Sequence, residues 1–203
     1  MLADSAIKNP IKPCTIFNDT TITYRDMDVL TDQLAIALIR LGIKPGERVG
    51  ILLPNLPQFI LAYFAILKVG CVVVAINPQY KAQEIEFQLN DSEIQILIAL
   101  ADKYPLLKQL QPGTSIKSII LTNMSDCFDL PLKSQAHHLD ENALQPISLA
   151  STDSWLLNLI NRSPACEKPD VPIASGQYAL FQYSGGTTGI PKAAIASHRN
   201  LVA

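Results

Sequence analysis

Short, mostly apolar runs alternate with helical patterns along much of the chain. The runs are RVGILLP (48–54), CVVVAI (71–76), IQILIAL (94–100) and SIKSIILTN (115–123). Strands that are apolar on both faces are buried on both sides, which is typical of a parallel sheet covered by helices. Right-handed crossovers follow from such an arrangement. The pattern predicts an α/β fold with a largely parallel sheet flanked by helices, formed by an alternating unit over residues 16–122.

The segment after Thr23 carries the signature of one amphipathic helix. Thr23 and Asp26 have the spacing of a capping box, and Gly42 closes the segment. Apolar residues recur between these ends at helical spacing: Met27, Leu30, Leu34, Leu38 and Leu41. A second helix with a polar face is predicted for KAQEIEFQLND (81–91).

The stretch FILAYFAILKVGCVVVAI (59–76) has the length and apolar character of a membrane span. Lys68 and Gly70 divide it near the middle. The first half is rich in helix formers and the second is β-branched. We therefore favour a buried helix, a glycine stop and a buried strand over a membrane span.

The composition bounds the class of protein. The 203 residues are 48% hydrophobic and 17% charged, with a formal net charge of −2, which indicates a globular chain. No cluster of lysine and arginine is present, so nucleic acid is not an expected partner. The four cysteines and three histidines show no zinc spacing, and the amino terminus shows no secretory signal. Reduced thiols in a cytoplasmic protein are the simplest interpretation.

Residues 123–176 break the alternating pattern. Prolines stand at positions 131, 146, 164, 169 and 172, and periodicity fades. We interpret this stretch as a long, variable connection with one short helix around 155–160. Its His137 and His138 have no residues nearby in sequence that would make them ligands or bases, so neither is given a role.

The pattern resumes over residues 177–203 with a strand, YALFQYS, a loop and the start of a helix. Ser197 is a predicted N-cap of that helix, with Asn200 at the third helical position, so a structural role is favoured for His198. The loop lies within YSGGTTGIPK (183–192). Its candidate phosphate-binding residues are Ser184, Gly185, Gly186, Thr187, Thr188, Gly189 and Lys192.

Glycines permit the backbone conformations that turn N–H groups toward one anion, the threonines add hydroxyl donors, and Lys192 adds a mobile positive charge. The spacing differs from that of the common nucleotide hydrolases, because Ile190 and Pro191 separate Gly189 from Lys192. From the loop alone, a tight surface turn is an equally good interpretation.

A longer stretch resembles a known family. QYSGGTTGIPKAAIASHRNL (182–201) is similar to the phosphate-binding signature of the AMP-forming acyl- and aryl-CoA synthetases, the adenylate-forming enzyme superfamily. Residues 24–80 resemble the amino-terminal part of that family in order and spacing. Ser184-Gly185-Gly186 is most like the bacterial long-chain fatty acid–CoA ligases. The resemblance covers about 16–123 and 176–203, and implies the amino-terminal part of the family's large domain.

The resemblance implies a two-step reaction. A fatty acid carboxylate attacks the α-phosphate of ATP to give acyl-AMP and pyrophosphate, and CoA then displaces AMP. ATP, Mg²⁺ and CoA are the implied cofactors and co-substrates, and the loop from Ser184 to Lys192 would hold the β- and γ-phosphates. One departure lies inside the motif, where Ala193 replaces the usual glycine.

Family members extend far beyond this motif, so the chain is expected to be an amino-terminal portion that is inactive alone. Three hypotheses stay open: part of a long-chain fatty acid–CoA ligase completed by further sequence or by a second chain, a non-catalytic nucleotide- or pyrophosphate-binding remnant, or a structural product of a disrupted gene. The cytoplasmic location expected from the cysteines leaves peripheral contact with a membrane open, because long-chain ligases as a group often work at membrane surfaces.

Overall fold

The computed structural model describes residues 1–128, 130, 147–184 and 191–202. The described helices are α1 (Leu2–Lys8), α2 (Tyr24–Arg40), α3 (Pro57–Lys68), α4 (Ala82–Asp91), α5 (Tyr104–Leu110), α6 (Leu156–Arg162) and α7 (His198–Val202). The described strands are β1 (Pro13–Phe17), β2 (Thr20–Thr23), β3 (Arg48–Leu52), β4 (Val72–Ala75), β5 (Ile96–Leu100), β6 (Ser118–Thr122), β7 (Ser154–Trp155), β8 (Tyr178–Ser184) and β9 (Lys192–Ser197).

One sheet organises the chain, with the strand order β7-β6-β5-β3-β4-β8-β9. Every neighbouring pair in it is parallel except β8 and β9, which are antiparallel. The central register pairs Val49 of β3 with Val73 of β4 on one side and with Ile96 of β5 on the other. The predicted largely parallel sheet flanked by helices is confirmed.

Both faces of the sheet are covered, which explains why its strands read as continuous apolar runs. Val49 and Ile51 of β3 enter a core cluster with α2, α3 and α6, whereas Leu52 enters a second cluster with α4 and α5. Gly50 faces that second cluster, and a Cβ there would lie 2.7 Å from Leu97 Cδ1 and 2.8 Å from Ile94 Cδ1. A glycine at this position lets α4 and its following turn pack closely on the sheet.

The predicted capped helix is confirmed as α2. The Thr23 Oγ1 accepts a hydrogen bond from the Asp26 backbone N at 3.2 Å and donates one to Asp26 Oδ2 at 2.6 Å. Gly42, just past the helix, has a φ of +86°, which glycine adopts at least cost.

A buried ion cluster joins α2 to α3. Lys68, at the end of α3, contacts Asp28 Oδ1 at 2.7 Å and Asp32 Oδ1 at 2.5 Å through its Nζ, which also donates to the Asp28 backbone oxygen at 3.1 Å. The three side chains are only 18%, 13% and 6% exposed, respectively. The cluster therefore fixes the start of β4, which follows α3 after a short turn.

The apolar stretch 59–76 forms the predicted helix, glycine turn and strand. It contains most of α3 and all of β4, and Gly70 between them has a φ of +69°. Over the described ranges, no helix is both long and apolar enough to cross a membrane.

The described part of the connection, residues 147–176, returns to the sheet. The predicted short helix is confirmed as α6, and β7 directly before it pairs with β6, which the sequence pattern did not predict. Asp153 anchors this return: its carboxylate accepts from Tyr104 Oη at 2.8 Å and from the Ile119 backbone N at 2.9 Å, and contacts Lys108 Nζ at 3.1 Å. His137 and His138 lie outside the described residues.

The thiols differ in burial, and this predicts their reactivity. Burial, with a smaller contribution from the negative charge of Glu47, raises the pKa of Cys71 to about 12, and Cys166 is exposed. In the folded protein, iodoacetamide at pH 8 is expected to modify Cys166 at least about a hundredfold faster than Cys71, because the thiolate is the nucleophile. Peptide mass spectrometry over time measures both rates. Equal rates before unfolding would contradict the described burial.

Candidate functional site

The candidate loop connects two strands of the same sheet. β8 lies beside β4, with Leu180 paired to Val73, and runs parallel to it. β9 returns antiparallel along the other side of β8, and Ser184 is paired with Lys192. Ser184 and Lys192, the two ends of this connection, therefore lie at the carboxyl end of β8 and of the strands parallel to it, which is where ligands bind in open α/β sheets.

Of the seven predicted site residues, the structure places two at the base of this connection. Ser184 ends β8 and Lys192 begins β9, where the Lys192 side chain is exposed. The sequence pattern predicted a loop through Lys192 and a helix capped by Ser197, with no strand between them; instead, β9 begins at Lys192 itself and extends to Ser197, directly before α7. The other five, Gly185, Gly186, Thr187, Thr188 and Gly189, lie outside the described residues.

Tyr183, directly before Ser184, is hydrogen-bonded to helix α4 on one face of the sheet. Tyr183 is 6% exposed, and its hydroxyl donates a hydrogen bond of 2.5 Å to Oδ2 of Asp91, the last residue of α4. Burial, reinforced by the Asp91 carboxylate, raises the pKa of Tyr183 well above its ordinary value. The hydroxyl is therefore a neutral donor at physiological pH.

Asp91 belongs to a polar end of α4 that the sequence interpretation did not single out. Ser92 Oγ donates to the Gln88 backbone oxygen at 2.5 Å. Gln88 is fully buried, and its amide atoms have no hydrogen-bond partner within the described residues. The one local signal for Asp91 is its position, because a carboxylate at a helix carboxyl terminus opposes the helix dipole.

Ala193, the departure from the family motif, is opposite Tyr183 in the β8–β9 register. It is partly buried and packs against the core cluster that contains Tyr183, Ile85 and Leu89. The methyl group thus contributes apolar contact to this core cluster.

Hydrogen bonds join the end of β9 to the start of α7. The Ser197 backbone N donates to Asn200 Oδ1 at 2.9 Å and the Asn200 backbone N donates to Ser197 Oγ at 3.4 Å, so the predicted N-cap is confirmed. His198 donates its backbone N–H to the Gln177 oxygen at 3.0 Å. Burial lowers the pKa of the His198 imidazole, whose Nε2 has no hydrogen-bond partner in the described part of the chain.

Within the described ranges, no group of three or more His, Cys, Asp or Glu side chains is placed to hold a metal ion.

The comparisons with known proteins agree with this fold. The family model described as AMP-binding enzyme matches residues 2–203, so the chain belongs to that family. Among curated proteins, the long-chain-fatty-acid–CoA ligase of Bacillus subtilis (strain 168) is 30% identical over 213 residues, covering 100% of this chain and 37% of its own length. The chain therefore spans little more than a third of that relative.

Solved structures show the same fold. A long-chain-fatty-acid-CoA ligase from Archaeoglobus fulgidus aligns with a TM-score of 0.75 and 22% identity, covering 97% of this chain and 36% of that chain. The amino-terminal domain of FACL13 from Mycobacterium tuberculosis aligns with a TM-score of 0.75 and 24% identity, covering 97% of this chain and 43% of that chain. The predicted likeness to acyl-CoA ligases, and to long-chain fatty acid–CoA ligases in particular, is confirmed.

Proposed function

We propose that this chain supplies the ATP-phosphate-binding loop of a long-chain fatty acid–CoA ligase. The reaction would join a fatty acid to ATP as acyl-AMP, with release of pyrophosphate, and then transfer the acyl group to CoA. The observation that carries the proposal is the hairpin formed by β8 and β9, which brings Ser184 and Lys192 together at the carboxyl edge of the parallel strands. The family match supports it.

The residues proposed for phosphate binding are Ser184 and Lys192, at the two ends of the connection, and the glycines and threonines between them. Backbone N–H groups and threonine hydroxyls would donate to phosphate oxygens, and the exposed Lys192 ammonium would neutralise part of their charge. A fatty acid carboxylate and a triphosphate repel each other, so fixed donors at the β- and γ-phosphates would favour both approach and departure of pyrophosphate. Mg²⁺, ATP and CoA belong to this proposal through the family resemblance.

A chain that spans little more than a third of its relative is proposed to bind the phosphates without completing the reaction alone. An ATP–pyrophosphate exchange assay with a panel of fatty acids tests this division. We expect no exchange from this chain by itself, and exchange with any acid would overturn the proposed inactivity. We also propose a cytoplasmic location with peripheral contact with a membrane, which cell fractionation would test. Completion of the enzyme by a second chain is a further part of the proposal, and co-purification would test it.

Replacing Lys192 with alanine is expected to weaken binding of inorganic pyrophosphate by about tenfold to a hundredfold, because a hydrogen bond to a charged group contributes roughly 1.5–3 kcal/mol. Isothermal titration calorimetry of the wild-type chain and the variant measures the change. Lys117→Ala is the matched control. Lys117 is also exposed, but it directly precedes β6 and so lies at the amino ends of the parallel strands, away from the candidate loop.

The control variant should bind as the wild type does. If both lysine variants lost affinity equally, only overall charge would matter and the proposed site would be wrong. Absence of any binding by the wild-type chain would contradict phosphate binding and favour a purely structural role for the hairpin.

A further inference from the structure

We propose that Asp91 is a positioning residue for the phosphate loop and that it acts through Tyr183. This inference rests on the proposed function, because it assigns Asp91 a part in phosphate binding by that same loop. Asp91 itself is not proposed to touch the ligand.

The geometry gives Tyr183 control over the direction in which the chain leaves β8. Its ring is buried in the core cluster beneath α4 and α5, and its hydroxyl is held by Asp91. Ser184 follows directly, and the proposed site begins there. A ring fixed at both the core and the hydroxyl leaves the backbone of Tyr183, and hence of Ser184, little freedom to rotate or shift.

Asp91 is a rigid support because its helix is bound to the sheet. Ile85 and Leu89 of α4 are fully buried in the same cluster as Tyr183. The hydrogen bond between Tyr183 and Asp91 therefore connects the end of β8 to an element that is already fixed, across 92 positions in sequence.

The position of Asp91 is unfavourable for the helix itself. It is the last residue of α4, and a negative charge there opposes the partial negative charge of the helix carboxyl terminus. Helix stability therefore does not account for a carboxylate at this position, whereas the hydrogen bond with the tyrosine does.

A similar pair elsewhere in the chain provides a matched control. Tyr104 is 7% exposed, and its hydroxyl donates to Asp153 Oδ2 at 2.8 Å. This bond joins α5 to the segment preceding β7, at the other end of the strand order from β8 and β9. Tyr104→Phe removes the same chemical group from a similarly buried ring without touching the hairpin.

The test compares the full 203-residue chain with Tyr183→Phe, Asp91→Ala, Asp91→Asn, the double variant Tyr183→Phe/Asp91→Ala, and Tyr104→Phe. Two quantities are measured well below every variant's Tm: amide hydrogen exchange in β8 and β9, and the Kd for inorganic pyrophosphate. Tyr183→Phe and Asp91→Ala are each expected to speed exchange in β8 and β9 about tenfold and to weaken pyrophosphate binding about threefold to tenfold.

The double variant should lose no more pyrophosphate affinity or exchange protection than either single variant, because the two substitutions remove the same interaction. Asp91→Asn should retain most of the affinity, since its amide oxygen still accepts from the tyrosine hydroxyl. Tyr104→Phe should lower the Tm while leaving exchange in β8 and β9 and the Kd unchanged.

Additive losses in the double variant, or equal loop effects from Tyr104→Phe, would show a general loss of stability and overturn the inference. If the wild-type chain does not bind pyrophosphate, the proposed function fails and the proposed effect on phosphate binding fails with it. Hydrogen exchange still separates the two claims, because unchanged exchange in β8 and β9 after Tyr183→Phe would rule out positioning whatever the chain binds.

Discussion

Replacing Lys68 with methionine is expected to lower the free energy of unfolding by about 3–5 kcal/mol, the usual cost of removing one member of a buried ion pair. The lysine forms ion pairs with both Asp28 and Asp32, whose side chains are 13% and 6% exposed. Methionine preserves the packing of the aliphatic stem but leaves two carboxylates close together with little water. The corresponding fall in Tm, roughly 6–20 °C for a chain of this size, is measured by calorimetry or thermal circular dichroism.

Arg40→Met is the control for this prediction. Arg40 pairs with Glu167 at 3.0 Å, but their side chains are 52% and 45% exposed, so this substitution should cost less than about 1 kcal/mol. A Lys68 variant no less stable than the Arg40 variant would show that the three-residue cluster contributes nothing beyond a surface pair.

Replacing Asp153 with alanine is expected to cost about 2–5 kcal/mol, because it leaves the Tyr104 hydroxyl and the Ile119 backbone N–H without their acceptor in a buried site. The loss should be largest around β7 and α6, which Asp153 precedes. Trp155, the one tryptophan of the chain, lies in β7 and reports locally. A red shift of its emission below the global unfolding temperature is the expected signal.

Asp153→Asn keeps the size of the side chain and one oxygen acceptor, so it should cost about half as much as alanine. If alanine and asparagine gave the same small loss with no change in Trp155 emission, the return of the connection to the sheet would depend on other contacts, such as those between Gln33 and α6.

The sequence pattern predicted the elements that bury a periodic apolar face. α2, α3, β4 and α6 lie where the pattern placed them, because capping residues, a glycine stop and core-facing residues mark them locally. β9 was not predicted: it reads KAAIAS, with small residues and an exposed Ile195, and neither alternation nor a continuous apolar run marks it as a strand. Its hydrogen-bonded pairing with β8 determines the strand, and this pairing leaves no local pattern in the sequence.

The candidate site was likewise predicted only in part from the sequence. The glycines, the threonines and Lys192 lie close together in sequence and form a motif, so they can be predicted from the sequence alone. The contact between Tyr183 and Asp91 joins residues far apart in the chain and arises only when α4 packs on the sheet. No periodicity or composition could have indicated it, and the unfavourable charge at the end of α4 is the sole local hint.

The place of β8 between β4 and β9 has a consequence for synthesis of the chain on the ribosome. β3, β4 and β5 can pair as soon as their own residues emerge, but the free side of β4 waits for residues 178–184. Until then the backbone of Val73 and Ala75 presents an unpaired edge to any other extended segment in the vicinity. Such distant pairing is slow, so the strand leading to the candidate loop is also the one whose late arrival leaves the nascent protein open to aggregation.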